Sequence, residues 1–205
     1  MSRPVDDDNS YSSANAIAVA GLNLALSYEN AAVDRLEKRM SESIVREVKE
    51  KINQHLDETK KQRERLMERI KVLGMGMPPT SEKGRLPVPQ PPQKLKMMIE
   101  SSSSDKEREV WESLNDLIVE RAEAIMYRGG IQALQLLKVD KKTIKALEKN
   151  LQEEEAFGDW LEKNNPKIAK RLLTKQTEAK KPGKKKMMKT IKEEKEEEAL
   201  SAAAV

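Results

Sequence analysis

Between residues 22 and 40 the chain reads LNLALSYENAAVDRLEKRM, and its apolar residues recur at Leu22, Leu26, Val33, Leu36 and Met40. Steps of three and four residues put them on one face of a helix. The row has one gap, at position 29, and a carboxylate fills it: Glu29. A carboxylate within an apolar row is costly to bury unless it is paired, protonated or bound to a cation. A second row follows at Val45, Val48, Ile52, His55, Thr59, Gln62, Leu66, Ile70 and Leu73, again polar in its middle, with Glu58 on the adjoining edge. A third holds Leu117, Glu120, Ala124, Tyr127 and Ile131, with Glu123 one turn on from Glu120. A fourth holds Ile144, Leu147, Leu151, Glu154, Gly158 and Leu161, with Glu153 beside Glu154.

These rows predict four helices. The first covers residues 15–42. The second starts after Ser43 as N-cap and stops at Gly74. The third covers residues 105–138 and contains Gly129-Gly130, a pair that costs helix stability and suggests close backbone packing, a local irregularity or a break. The fourth is capped by Asp140 and ends at Asn164-Asn165-Pro166, with residues 166–173 able to form one more short helix. Residues 75–104 carry Pro78, Pro79, Pro87, Pro89, Pro91 and Pro92 and are read as a helix-free linker. At ~3.3 Å per residue this linker can cross the length of a helix rising ~1.5 Å per residue. The expected fold is therefore all-α: an antiparallel four-helix bundle with a long Pro-rich crossover between the second and third helices. Residues 15–173 form the bundle, 1–14 a disordered lead-in and 174–205 a disordered Lys/Glu-rich tail.

Composition changes this picture little. Charged residues make up 36% and aromatics 3% of the 205 residues, as suits long amphipathic helices. The net charge of +4 dictates no partner, and the absence of cysteine excludes disulfides, thiol catalysis and thiolate metal sites. The apolar run at 16–26 is too short to span a bilayer and follows Asp6, Asp7 and Asp8, so neither signal peptide nor anchor is read. A soluble, cytoplasmic protein is the expectation.

In an antiparallel bundle the mid-helix positions come to similar depth, so Glu29, His55 with Glu58, Glu120 with Glu123, and Glu154 can converge. Carboxylates and imidazole projecting inward from four helices are the ligand set of di-iron and di-manganese bundles. Oxygen and nitrogen donors suit such ions, and the cation offsets the cost of burying several acids. The candidate ligands are Glu29, Glu58, Glu120 and Glu154, with His55 and Glu123 as auxiliaries, for iron or manganese. Each has a structural reading too: His55 as a core histidine, Glu58, Glu120 and Glu123 as edge carboxylates in water or ion pairs, and Tyr127 as core.

The segment HLDETKKQRERLMERIKVLG (residues 55–74) resembles the H-L-E-E-T-x-x-Q-x-x-R-L-x-x-x-x-x-x-L-G run of the YciE/YciF-like ferritin-like proteins. Tyr28-Glu29 is similar to that family's A-E-K-Q stretch. Val119-Glu120-Arg121-Ala122-Glu123 through Tyr127 resembles V-E-H-Y-E-x-x-x-Y, and Leu151-Gln152-Glu153-Glu154-Glu155-Ala156 resembles L-E-E-E-x-A. The resemblance covers residues 16–173 apart from much of the linker. It implies a ferritin-like bundle, inferred metal binding and an association with stress responses.

The chain departs from a ferritin-type centre, which pairs four carboxylates with two histidines in Glu-x-x-His motifs. His55 is the only histidine and precedes Glu58. Lys61 and Phe157 stand three residues after Glu58 and Glu154, and Arg121 stands at the helix-C histidine position, where it can pair with Glu120 or Glu123. The alternative reading is a metal-free bundle acting through its surface and tail as an interaction or nucleic-acid-associated protein. The lysine block from Lys180 to Lys192 would give weak, salt-dependent nucleic-acid binding, although no aromatic residue interleaves it for base stacking. A homodimer is the expected assembly, with no membrane partner.

Overall fold

The computed structural model describes the backbone of residues 7–74 and 91–179 and the side chains of residues 13–74 and 91–174. The six prolines from Pro78 to Pro92 therefore fall mostly outside the described residues, as does the lysine block of the tail. Among the described residues the chain is all-helical: α1 (Asp7–Glu42), α2 (Arg46–Leu73), α3 (Gln93–Glu100), α4 (Asp105–Leu136) and α5 (Lys141–Ala179).

The apolar rows became the core. Leu22, Leu26, Val33 and Leu36 of α1 are buried together with Glu29. In α2, Val48, Ile52, Leu66 and Ile70 are buried, and so are the polar residues His55, Thr59 and Gln62 in the middle of their row. Thr59 satisfies its hydroxyl locally, donating to the His55 carbonyl at 3.0 Å. Burying these side chains contributes about 1.5–3 kcal/mol for each large apolar residue.

Four boundaries differ from the periodicity. Helix α1 begins at Asp7, within the stretch read as a lead-in. The N-cap of α2 is Val45, not Ser43, and it makes no side-chain cap. Ser43 lies in the turn instead and donates to Glu109 Oε1 at 3.0 Å, because an acid from α4 reaches this turn. Helix α3 occupies part of the predicted helix-free linker. The prolines stop at Pro92, which serves as its N-cap, and QKLKMMIE beyond it contains none. Helix α5 continues through Pro166, where the sequence predicts a stop.

Two helix starts are capped by side chains, the second of them as the sequence predicts. Ser104 accepts from the Glu107 N–H at the start of α4, and Asp140 Oδ1 accepts from the N–H groups of Lys142 and Thr143 at 2.9 and 3.1 Å. Helix α4 runs unbroken through Gly129-Gly130. A Cβ at Gly129 would meet nothing within 4 Å and one at Gly130 only Leu147 Cδ2 at 3.8 Å, so neither close packing nor a break explains the pair.

The chain divides into two compact units, residues 1–165 and 166–205. The second contains the last part of α5, with Ile168 buried. The first holds the helices that build the site. Across α1 and α4, Tyr127 meets Glu29, Glu120 meets Arg35 and Glu109 meets Arg39, so position falls along α4 as it rises along α1. Across α2 and α5, Gln62 meets Glu154, Arg65 meets Asn150 and Arg69 meets Thr143, in the same opposed order.

Residues Ser13–Glu42 form the one helix among the described residues that is long and apolar enough, by length and composition, to cross a membrane. Half of its most apolar window is buried inside the protein. Leu22, Leu26, Val33 and Leu36 of this helix are buried, while Ile17 and Leu24 are exposed.

Candidate metal centre

Helices α1, α2, α4 and α5 each contribute an ionisable side chain to one buried cluster. Glu29, His55, Glu120 and Glu154 all have relative exposures of 0–1%, and Glu123 has 2%. His55 Nε2 lies 2.9 Å from Glu120 Oε2 and 3.5 Å from Glu154 Oε2. One donor atom from each of these residues lies within 4.8 Å of the others, a spacing at which the buried triad can hold a metal ion. The Phe157 ring packs on the imidazole with centroids 4.3 Å apart, so the position where a second histidine would stand is occupied by a ring supporting the first.

Each of three acids is held by one oxygen. Tyr127 donates its hydroxyl to Glu29 Oε1 and receives a hydrogen bond from Asn150 Nδ2 at 2.9 Å. Arg35 Nη2 donates to Glu120 Oε1 at 2.6 Å, and Gln62 Nε2 donates to Glu154 Oε1 at 2.6 Å. Of the other oxygens, Glu29 Oε2 and Glu154 Oε2 are buried without a hydrogen-bond donor, as is Glu123 Oε1, and Glu120 Oε2 has only the His55 imidazole facing it at 2.9 Å. Buried polar atoms in folded proteins are almost always partnered, so such a concentration calls for an explanation.

The electrostatics give one. Burial pushes the Glu29 and Glu123 carboxyls well above the usual carboxylate range, and neighbouring acids push the same way. Glu154 is raised to about 7 by burial, although His55 offsets part of this. Burial opposes protonation of His55, but the charges of Glu120 and Glu154 outweigh it and lift its pKa well above normal. Burial also opposes ionisation of Glu120, yet His55 and Arg35 hold it well below the usual range. The cluster is therefore short of positive charge, which protons or a metal ion can supply.

Of the six residues singled out from the sequence, three form the triad: His55, Glu120 and Glu154. Glu29 and Glu123 are buried beside it and lie outside it. Glu120 and Glu123 are not edge residues in water, because α4 turns both into the core. Glu58 stands on the rim, its side chain 24% exposed, with Oε2 3.4 Å from His55 Nδ1. It faces the imidazole nitrogen opposite the triad and accepts from Gln54 at 2.9 Å. Arg121 does not neutralise the cluster. It turns outward to Asp159 and Glu162 at 2.7 and 2.5 Å, lying over Gly158, where a Cβ would stand 3.2 Å from its Nη1.

Sequence reasoning missed Arg35 and Arg39, which flank the Leu36 and Met40 positions of the α1 row and reach inward from its edge. The signal was present, since acids without cations within the rows of α4 demanded a partner elsewhere. Tyr127 is core, as expected, with its hydroxyl on Glu29. Its ring also lines an apolar cavity of about 320 Å³ together with Leu22, Ala25, Gly130, Leu134 and Leu147.

A helical core that buries one imidazole among four carboxylates defines a class, the helical proteins with a carboxylate–histidine site capable of holding a metal. Within it, residues 15–174 match the family described as Domain of unknown function (DUF892), a family of the ferritin-like superfamily. The chain belongs to this family. No curated protein and no solved structure matches it.

Proposed function

We propose that this protein is a YciE/YciF-like, ferritin-like antiparallel four-helix bundle that binds iron or manganese through its buried carboxylates, in metal handling or stress protection. The opposed order of the contacts between α1 and α4, and between α2 and α5, supports the antiparallel arrangement. Residues 75–104, including α3, then form the crossover between α2 and α4. The fold alone carries no activity. The observation that carries the reading is the set of buried oxygens without a hydrogen-bond donor on Glu29, Glu123 and Glu154, beside Glu120 Oε2, which faces only the single imidazole of His55. The donor set fits a hard or borderline divalent ion. His55, Glu120 and Glu154 would hold it, and it would supply redox or Lewis-acid chemistry. The protein is taken as cytoplasmic and homodimeric.

The test is elemental analysis of the full chain, grown with iron and manganese and desalted, beside Glu29→Gln plus Glu154→Gln. These amides keep the oxygens that accept from Tyr127 and Gln62 while removing the charges. Metal in the parent and none in an equally helical variant is the expected result. No metal in either overturns the proposal.

A second reading has its own support. Arg35 already neutralises Glu120, and the raised pKa values of Glu29 and Glu123 let protons replace a metal. In that case the bundle is metal-free and acts through its surface and basic tail, as an interaction or nucleic-acid-associated protein. Nucleic-acid binding through the lysines of residues 180–192 would then fall with added salt and with removal of the tail.

A further inference from the structure

A binuclear carboxylate site requires acids that offer both oxygens, to bridge or chelate two ions, and a histidine for each ion. The two acids of the triad and Glu29 do not meet the first requirement, and a single histidine does not meet the second. Arg35 occupies Glu120 Oε1, Gln62 occupies Glu154 Oε1 and Tyr127 occupies Glu29 Oε1. Every one of these acids keeps one inward oxygen, Oε2, and the histidine count is one.

We infer that the site is mononuclear: His55 Nε2, Glu120 Oε2 and Glu154 Oε2 take a single divalent ion, and Arg35 and Gln62 act as positioning residues that restrict Glu120 and Glu154 to one donor oxygen each. This inference rests on the metal-binding reading above and deepens it. The charges agree with one ion and not two. Glu120 and Glu154 together with the Arg35 guanidinium carry one negative charge, so a divalent ion leaves one positive charge. Ionisation of one of the two adjacent buried acids, Glu29 or Glu123, brings the core to neutrality. A second divalent ion would leave one buried positive charge even with both of these acids ionised, and burying uncompensated charge is unfavourable.

The histidine geometry agrees as well. To present a lone pair from Nε2, the imidazole carries its proton on Nδ1, and Glu58 Oε2 stands 3.4 Å from that nitrogen. A carboxylate behind a ligating histidine fixes its tautomer and ring orientation. Glu58 thus supports the ligand instead of being one.

The experiment is an anaerobic titration of the metal-free full chain with Mn²⁺. Equivalents bound are read by calorimetry, and low-temperature electron paramagnetic resonance reads the coupling between ions. One equivalent per chain with an uncoupled six-line signal is expected. Two equivalents with an exchange-coupled signal overturn the mononuclear inference and leave the metal-binding reading intact. No binding at all, tested with Fe²⁺ as well, overturns that reading and this inference with it. Gln62→Ala tests the positioning role, because it releases Glu154 Oε1 without touching a ligand. Its Mn²⁺ affinity should fall about tenfold or more at unchanged helicity and one equivalent. Unchanged affinity removes Gln62 from the site.

Discussion

The same pair of helices, α1 and α4, buries acids in two places, and the two places are finished differently. Near the α1–α2 turn, Glu109 and Asp116 are as inaccessible as the acids of the candidate metal centre. Glu109 Oε1 accepts from Arg39 and Ser43, and its Oε2 accepts from the Ile44 N–H at 2.9 Å. Asp116 Oδ2 accepts from Arg39 Nε at 2.9 Å and Oδ1 from Arg35 at 3.3 Å. Every carboxylate oxygen there has a donor. Further along the helices, Glu29, Glu123 and Glu154 each keep an oxygen with no hydrogen-bond donor, and Glu120 Oε2 meets only the His55 imidazole. One chain that matches its buried acids so fully in one region has left a second region deficient in cations. The difference separates an ionic network that locks helices together from a cluster that could hold a cation.

Arg39 offers the largest contrast. Removing one partner of a buried ion pair leaves an uncompensated charge and costs about 3–5 kcal/mol. Arg39→Met, which takes the nearer guanidinium from both Glu109 and Asp116, should therefore lower the unfolding free energy by that order, read from the urea midpoint and melting temperature. Glu123→Gln in the metal-free protein should change stability by under about 1 kcal/mol, or raise it, because it removes a charge that burial already disfavours. Equal losses in the two variants, measured by denaturant unfolding, would break the comparison.

The next largest effect is on pH dependence. Glu154 has its folded pKa raised to about 7, from an ordinary value of 4.5, and Glu29 and Glu123 are raised too. Between these values the folded chain binds more protons than the unfolded chain, so stability falls as pH rises. His55, also raised, contributes stability present below its ordinary value of 6.5 and lost as pH climbs through its higher folded value. Glu120, depressed, acts in the opposite sense, its contribution lost only as pH falls below 4.5. The metal-free chain in chelator should thus lose stability from pH 5 to pH 8, by up to about 1.4 kcal/mol per pH unit for each group titrating. Saturating Mn²⁺ should flatten or reverse that slope, because the ion competes with the protons. Stability that rises with pH in the chelated protein would remove the cation deficit from the comparison.

Much of this architecture was legible in the sequence, for a physical reason. A 3.6-residue period shows which face is buried, so a charge on that face is visible as a break in the row. That is how Glu29, His55, Glu120 and Glu154 stood out, and all four are buried. The pattern could not show what long side chains on the edge of a face do. Arg35 and Arg39 sit beside the α1 row, and their guanidinium groups reach past it to acids about 80 positions away in sequence, as Arg35–Glu120 does. Nor could it show which oxygen of each acid is occupied, since that depends on Tyr127, Gln62 and Arg35 arriving from other helices. Prolines misled in two directions. Those at 78–92 were extended in effect to residues 93–100, where α3 forms, and Pro166 was given the power to stop a helix that continues through it.

Glu58 gives the smallest effect and the finest distinction. It is the one acid near the centre that the solvent reaches, and hydrogen bonds from His55 and Gln54 help hold its pKa below the ordinary value. Glu58→Gln keeps an acceptor for the Nδ1 proton and removes only the charge behind it. In the metal-free protein the change in stability should be within about 0.5 kcal/mol, as for other partly exposed positions. With metal, the loss of a carboxylate behind a ligating histidine should weaken Mn²⁺ binding about tenfold, in the range typical for such partners. The signature is a variant that unfolds like the parent in chelator and differs from it once the ion is present. If Glu58→Gln destabilises the chelated protein as Arg39→Met does, then Glu58 belongs with Glu109 and Asp116 as a structural acid. The imidazole would then have no carboxylate serving it as a ligand.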